Sequence, residues 1–227
     1  MDSNESLPTR KRGLLGGSGE ARLEAGQRST LVDPLYLDPV AHPQDRVALD
    51  AFLDHDPLEV EIGCGRGHFM ASMVAARPTH RFLVIEARMR YTLMTLARVH
   101  ATGQDNVRLV LGDAKELLAN LVLPGSVAAL YLLFPDPWWK RKHEKRRVAT
   151  PEFLADVSTA LKPGGVFVFR TDVRDYLDLV DQLFEGNPFG LVPAPCPEGV
   201  ALSHRHMKCN QLGLPTWERC YRKETGV

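Results

Sequence analysis

The sequence predicts a single α/β domain, built on one doubly wound, mostly parallel sheet behind a flexible N-terminal tail. Three observations predict it. Short apolar runs alternate with stretches of helical period through the middle of the chain, as in a series of βαβ units. A glycine-rich turn, Gly63-Cys64-Gly65-Arg66-Gly67, directly follows the first apolar run. Acidic residues then stand at or next to the ends of four successive runs, where a doubly wound sheet holds its ligands.

The elements follow in order. Met1 to about Arg28 is rich in Gly, Ser, Arg and Glu without a sustained apolar period, which is the composition of a mobile tail. Its cations Arg10, Lys11, Arg12, Arg22 and Arg28 read as solvated rather than as RNA contacts. Leu31 to Pro43 is a proline-punctuated connector, so residues 1–43 form tail and connector and 44–227 the domain. A short helix spans Arg46 to Leu53. Leu58 to Ile62 is the first strand, and His68 to Ala76 a helix closed before Pro78. Arg81 to Ile85 is the second strand, followed by a helix from Met89 to His100 with Thr102-Gly103 as its exit. Val107 to Leu111 is the third strand and Lys115 to Leu121 a helix. Val127 to Leu133 is the fourth strand, apolar throughout as a strand buried on both faces must be. Thr150 caps a helix from Pro151 to Leu161, with proline at its first position. Gly165 to Arg170 is the fifth strand and Tyr176 to Phe184 a helix. Two late strands are placed near Phe189–Val192 and Thr216–Arg222.

Composition excludes several classes. The formal net charge is zero, so a general polyanion binder is excluded and any nucleic-acid site must be a local patch. Cys64, Cys196, Cys209 and Cys220 contain no C-x-x-C pair, which argues against a structural zinc site and leaves no metal expected. The N-terminus is polar, without the apolar core of a signal peptide, and no run is long enough to span a bilayer. The expectation is a cytoplasmic protein with no membrane contact.

The acidic residues are Glu61 within the first strand, Glu86 closing the second, Asp113 after the third and Asp136 after the fourth. The glycine turn admits close backbone approach, and the helix behind it offers free N–H groups. Its spacing departs from the G-x-G-x-x-G dinucleotide fingerprint, because position 68 is His. Glu86 suits the two hydroxyls of a ribose, and Asp113 the amino group of an adenine. A cluster of carboxylates suits a cationic sulfonium and repels a pyrophosphate, which favours S-adenosylmethionine over NAD.

After the fourth strand comes Phe134-Pro135-Asp136-Pro137-Trp138-Trp139-Lys140-Arg141-Lys142-His143-Glu144-Lys145-Arg146-Arg147. Here a carboxylate sits between two prolines, with tryptophan faces and a dense group of cations beside it. Such a loop suits a site that handles a nucleobase while gripping its phosphates. The bland alternative, a solvated charged loop, is weakened by the two tryptophans, which are unfavourable in water without a partner.

Glu61-Ile-Gly-Cys-Gly-Arg-Gly67, Ile85-Glu86, Gly112-Asp113-Ala114 and Phe134-Pro-Asp-Pro-Trp138, with Lys140, His143, Lys145, Arg146 and Arg147, together resemble the bacterial tRNA (guanine-N7-)-methyltransferases. The resemblance runs from Leu58 to Asp172, and more loosely to the C-terminus. It implies the Rossmann-like class I methyltransferase fold and methyl transfer from S-adenosylmethionine to N7 of a guanosine in the tRNA variable loop. It further implies that Glu61, Glu86, Asp113 and Asp136 bind the donor, with Gly63, Gly65 and Ala114 in the same motifs. Asp136 is then also the catalytic candidate, and Lys140 and Asp172 contact the RNA. Two departures stand out. A second tryptophan, Trp139, occupies the position before Lys140. The family's T-x-x-E stretch corresponds to Ser203-His204-Arg205-His206, so Ser203 and His206 are either substrate contacts with altered chemistry or part of a plain loop.

Guanine N7 carries a lone pair and no proton, so transfer needs no base before attack. Asp136 either stabilises the developing cation or holds the base by its N–H groups. The base has to leave its stack. Trp138 is expected to pack and Trp139 to be the freer platform. Arg146 or Arg147 either grips phosphate or pairs with a protein carboxylate to fix the loop. The tRNA is the expected partner, with no obligate protein partner and a monomer or homodimer as the working state. Alternatives are a methyltransferase acting on another RNA or a non-RNA substrate, an NAD-dependent oxidoreductase, and a non-enzymatic RNA-binding module. The last has no use for aligned carboxylates at strand ends.

Overall fold

The computed structural model describes residues 33–138, 143 and 146–225. The predicted tail and, in the tryptophan loop, Trp139, Lys140, Arg141, Lys142, Glu144 and Lys145 lie outside the described residues. In chain order the elements are β1 (Tyr36–Leu37), α1 (Pro43–Leu53), β2 (Leu58–Ile62), α2 (His68–Ala76), β3 (Arg81–Glu86), α3 (Met89–His100), β4 (Val107–Leu111), α4 (Ala114–Leu121) and β5 (Val127–Leu133), followed by α5 (Pro151–Ala160), β6 (Leu161–Thr171), α6 (Arg174–Leu183), β7 (Leu191–Pro193), α7 (His204–Gln211) and β8 (Trp217–Lys223).

Among the described residues these strands form one sheet in the order β1-β4-β3-β2-β5-β6-β8-β7. β1 to β6 run parallel, while β8 lies antiparallel to β6, and β7 antiparallel to β8. From β2 the chain builds outward through β3 and β4, then returns to lay β5 on the other side of β2. The strand order therefore reverses between β2 and β5, and the loops leaving those two strands diverge to open a crevice.

Alternation along the strands fills both faces. Leu58, Val60, Ile62, Leu130 and Leu132 pack in one core with α4, α5 and α6. Phe82, Val84, Tyr131 and Val168 pack in the other, against Phe69, Met70 and Met73 of α2 and Leu96 and Val99 of α3. Each fully buried side chain of this size contributes about 1.5–3 kcal/mol. The same alternation turns Glu59 and Glu61 toward the second core, the more expensive place for a carboxylate. Glu59 is neutralised there: Arg77 Nη1 donates to it at 2.8 Å, Tyr131 Oη donates at 2.6 Å, and His80 Nδ1 lies 2.5 Å away.

The central alternation follows the sequence expectation element by element. β6 begins at Leu161, where the sequence predicts the end of a helix, and the other differences fall toward the ends of the chain. Tyr36–Leu37, within the predicted connector, pairs with Leu109 and Val110, so the sheet starts before residue 44. Two residues are too few to carry a readable alternation. α7 was not predicted: Cys209 is its one buried residue, so it has no apolar stripe to detect. Its N-cap is Ser203, whose Oγ accepts from the His206 N–H at 3.3 Å. Cys196 and Cys220 are joined in a disulfide across 24 residues, a pairing that C-x-x-C spacing does not detect. Cys64 and Cys209 are free and buried.

Candidate active site

The crevice at the strand-order reversal is a cleft of about 630 Å³, walled by the loops after β2, β3, β4 and β5 and by the start of α7. Its volume lies in the range of small-molecule sites. Gly63, Gly65 and Gly67 all adopt positive φ (78°, 53° and 74°), which lets the chain turn sharply from β2 into α2. At Gly67 a Cβ would also come within 2.6 Å of the Thr95 Cα, so this turn is pressed against α3.

Glu61 lies at the cleft floor, 1% exposed, and its Oε2 has no hydrogen-bond partner among the described residues. Burial, reinforced by the nearby Glu86 carboxylate, pushes its pKa up to about 8. Glu59, two residues earlier on the same face, has three partners; Glu61 is left with this atom unsatisfied. Such an atom marks a place where a partner from outside the chain belongs.

Glu86 closes β3 and accepts from the Arg88 N–H at 2.9 Å and, more weakly, from the Gly65 N–H at 3.4 Å. Burial also raises its pKa. A carboxylate offers about four lone-pair sites, so capacity remains for a ligand's hydroxyls. Asp113 caps α4 by accepting from the Lys115 N–H at 3.0 Å, and Ala114 lies buried behind it. Both line the cleft.

The opposite wall is the Phe134–Trp138 turn. Phe134 (φ 53°) and Trp138 (φ 44°) sit in the left-handed region, at a cost of about 1–3 kcal/mol each. The Phe134 N–H donates to the Arg170 carbonyl at 2.7 Å, and Arg147 Nε donates to the Pro137 carbonyl at 2.9 Å, which holds the turn in place. Asp136 is exposed at the cleft mouth, 3.6 Å from Arg88 Nη2. Trp138, expected to be packed, lines the cleft half-buried, with the Arg146 guanidinium 5.1 Å from its ring and His143 at 5.5 Å. Arg146 and Arg147 thus hold the loop through a ring and a carbonyl. Lys140 and Trp139 lie outside the described residues.

The remaining expected residues cluster around α7. Ser203 reaches the cleft wall and caps the helix. His206 lies behind that wall, its ring 5.6 Å from Phe134 and its Nδ1 buried without a hydrogen-bond partner among the described residues. Burial, then Arg170, lowers its pKa. Asp172 accepts two hydrogen bonds from Arg205, which itself lines the cleft. Sequence reasoning missed Arg88 and Tyr91, which enter the cleft from a helix start and carry no motif, and gave no role to Arg205 inside the Ser203–His206 stretch. Among the described residues, Cys196, Glu218 and Cys220 approach as a metal-ligand set would, but the two sulfurs are bonded to each other.

A doubly wound sheet with this strand order, a glycine turn after β2 and carboxylates at successive strand ends defines the class I methyltransferases. An rRNA methylase from Streptococcus thermophilus shares the fold at a TM-score of 0.53 and 15% identity, over 80% of this chain and 95% of that one. Residues 55–191 match the family model described as "Putative methyltransferase". The chain is 33% identical to the tRNA (guanine-N(7)-)-methyltransferase of Methylococcus capsulatus, with 97% of each chain covered. It is likewise 33% identical to the enzyme of that name from Rhodopirellula baltica, over 77% of this chain and 69% of the relative. The chain belongs to the tRNA (guanine-N(7)-)-methyltransferase family.

Proposed function

We propose that this chain transfers the methyl group of S-adenosylmethionine to N7 of a guanine in tRNA. The observation that carries the reading is the buried, unpartnered Glu61 carboxyl in a cleft edged by Glu86, Asp113 and Asp136. An unpaired buried carboxyl fits a cationic ligand, and the donor is a cationic sulfonium. Gly63 and Gly65 admit the ligand close to the backbone. Glu86 has lone pairs left for the ribose hydroxyls, and Asp113 with the Ala114 N–H would meet the adenine edge. Bound there, the donor supplies an electrophilic methyl group.

The chain's own task is to hold N7 in line with that methyl, since the nucleophile arrives without a proton to remove. Positioning of this kind is worth several kcal/mol. Asp136, at the mouth of the cleft, faces the side on which the base must enter. There its carboxylate opposes the positive charge that grows on the purine as the bond forms. Trp138 offers a face for the base that has left its stack. Lys140 and Ser203 are assigned to the RNA. Asp172 is assigned a positioning role, holding Arg205 at the cleft wall, and His206 supports Phe134. No helix among the described residues is long and apolar enough to cross a membrane. The proposal places the chain in the cytoplasm as a monomer or homodimer, with no obligate protein partner.

The test is to incubate the protein with unmodified tRNA and labelled S-adenosylmethionine, then digest the RNA and identify the nucleoside. The expected product is 7-methylguanosine. Label in another nucleoside, or none in RNA, overturns the reading.

A further inference from the structure

A second cavity, of about 420 Å³, opens beside the active-site cleft, between the glycine turn and α7. It is lined by Arg66, His68, His204, Met207, Lys208 and Gln211. Among the described residues no acidic side chain lines it. The His68 and His204 rings face each other at 5.1 Å, and His68 Nδ1 is buried without a hydrogen-bond partner among the described residues. Arg98 Nε donates to the Arg66 carbonyl at 2.8 Å, which places a second guanidinium against the same turn. Both imidazoles have lowered pKa values, from burial first and then from the surrounding Arg98, Arg66 and Lys208 cations. Two exposed cations, Arg66 and Lys208, thus flank two imidazoles that offer neutral N–H donors, an arrangement that attracts an anion.

The cavity shares Arg66 and His204 with the wall of the active-site cleft. An anion held there is therefore next to whatever base occupies the cleft. We infer that this cavity is a phosphate subsite for the RNA substrate: Arg66 and Lys208 pair with one phosphodiester of the backbone close to the target nucleotide, and His68 and His204 donate hydrogen bonds to it. Phosphate contacts of this type set register and carry no base information, so the subsite orients the strand while the cleft selects the base. The inference rests on the RNA reading of the previous section.

The experiment compares wild type, Lys208→Gln, Arg66→Gln and the double variant. Affinity for an unmodified tRNA transcript is measured across a salt series, along with KM, kcat and calorimetric donor affinity. Lys208 is exposed, so its replacement leaves the fold intact and carries the test alone if the double variant fails to fold. Each single variant should bind tRNA several-fold more weakly and lose about 0.7–0.9 from the slope of log affinity against log salt, the value of one phosphate contact. In Lys208→Gln, KM for tRNA should rise while kcat at saturating tRNA and donor affinity stay unchanged. A folded double variant, or a folded Lys208→Gln, with wild-type tRNA affinity and salt slope overturns the inference. Loss of donor affinity in parallel with tRNA affinity also overturns it, by assigning the cavity to the donor's own carboxylate. If wild type methylates the transcript and the variants are insensitive, only the subsite falls. If wild type does not methylate it, the RNA reading fails and the subsite falls with it.

Discussion

In the ligand-free protein the Glu61 carboxyl carries its proton at neutral pH, because burial and then the Glu86 carboxylate raise its pKa from 4.5 to about 8. The consequence for stability has a definite sign. Below the unfolded value both states hold the proton, and above about 8 neither does. Between these limits only the folded state holds it, so the free energy of unfolding falls by about 1.4 kcal/mol per pH unit. From about pH 5 to about pH 7 this amounts to roughly 3 kcal/mol from one residue. Glu86, raised in the same direction, adds to the slope. His68, His204 and His206, lowered from 6.5, oppose it only below that pH. Replacing Glu61 by Gln keeps the shape and removes the titration. Urea unfolding of ligand-free wild type and Glu61→Gln across this range isolates the Glu61 contribution, because the other groups are common to both. Wild type should lose stability relative to the variant as pH rises, by roughly the amount above. A cationic ligand beside Glu61 favours the ionised form, so donor titrations near neutrality should release up to about one proton in wild type and fewer in Glu61→Gln. Parallel stability curves for the two proteins would refute the assignment of Glu61 as a protonated, unpartnered carboxyl.

Four further outcomes are expected. Glu86→Ala should weaken donor binding by about 1.5–3 kcal/mol, read by calorimetry, and unchanged affinity would remove Glu86 from the site. Asp136→Asn should lower the single-turnover rate at saturating donor and tRNA much more than it lowers tRNA affinity; equal losses in donor binding and turnover would make it a donor ligand only. Lys140→Ala should weaken tRNA binding and reduce its salt slope by up to about one while donor affinity holds, whereas wild-type values for all of these would return the basic loop to a solvated surface. Gly67→Ala combines a positive φ with a Cβ placed 2.6 Å from the Thr95 Cα, so it should lower the unfolding midpoint and weaken donor binding together; a midpoint equal to wild type would show that the turn relaxes freely.

How far the sequence reached can be judged residue by residue. Everything carried by local chemistry was legible. The alternation in Leu58–Ile62 marks a strand, the apolar run Val127–Leu133 a strand buried on both faces, and Thr150-Pro151 starts a helix. The glycines of the first turn and the P-D-P-W stretch mark the two loops that meet at the site. These signals depend on backbone sterics and on neighbours within a turn, so they survive without the fold. What the sequence could not decide was partnership across long separations. Glu59 and Glu61 are alike in charge and strand face, and although the motif points to Glu61, the string does not show how either carboxylate is partnered. Only the fold brings Arg77, His80 and Tyr131 to Glu59 and leaves an oxygen of Glu61 bare. Only the fold joins Cys196 to Cys220, seats the polar α7 against the glycine turn, and sets Trp138 on the cleft wall beside Arg146. The reason is physical: a motif fixes the conformation of its own residues, whereas the free energy of a buried charge, a thiol or an exposed ring is set by whichever distant side chains the strand order places beside it.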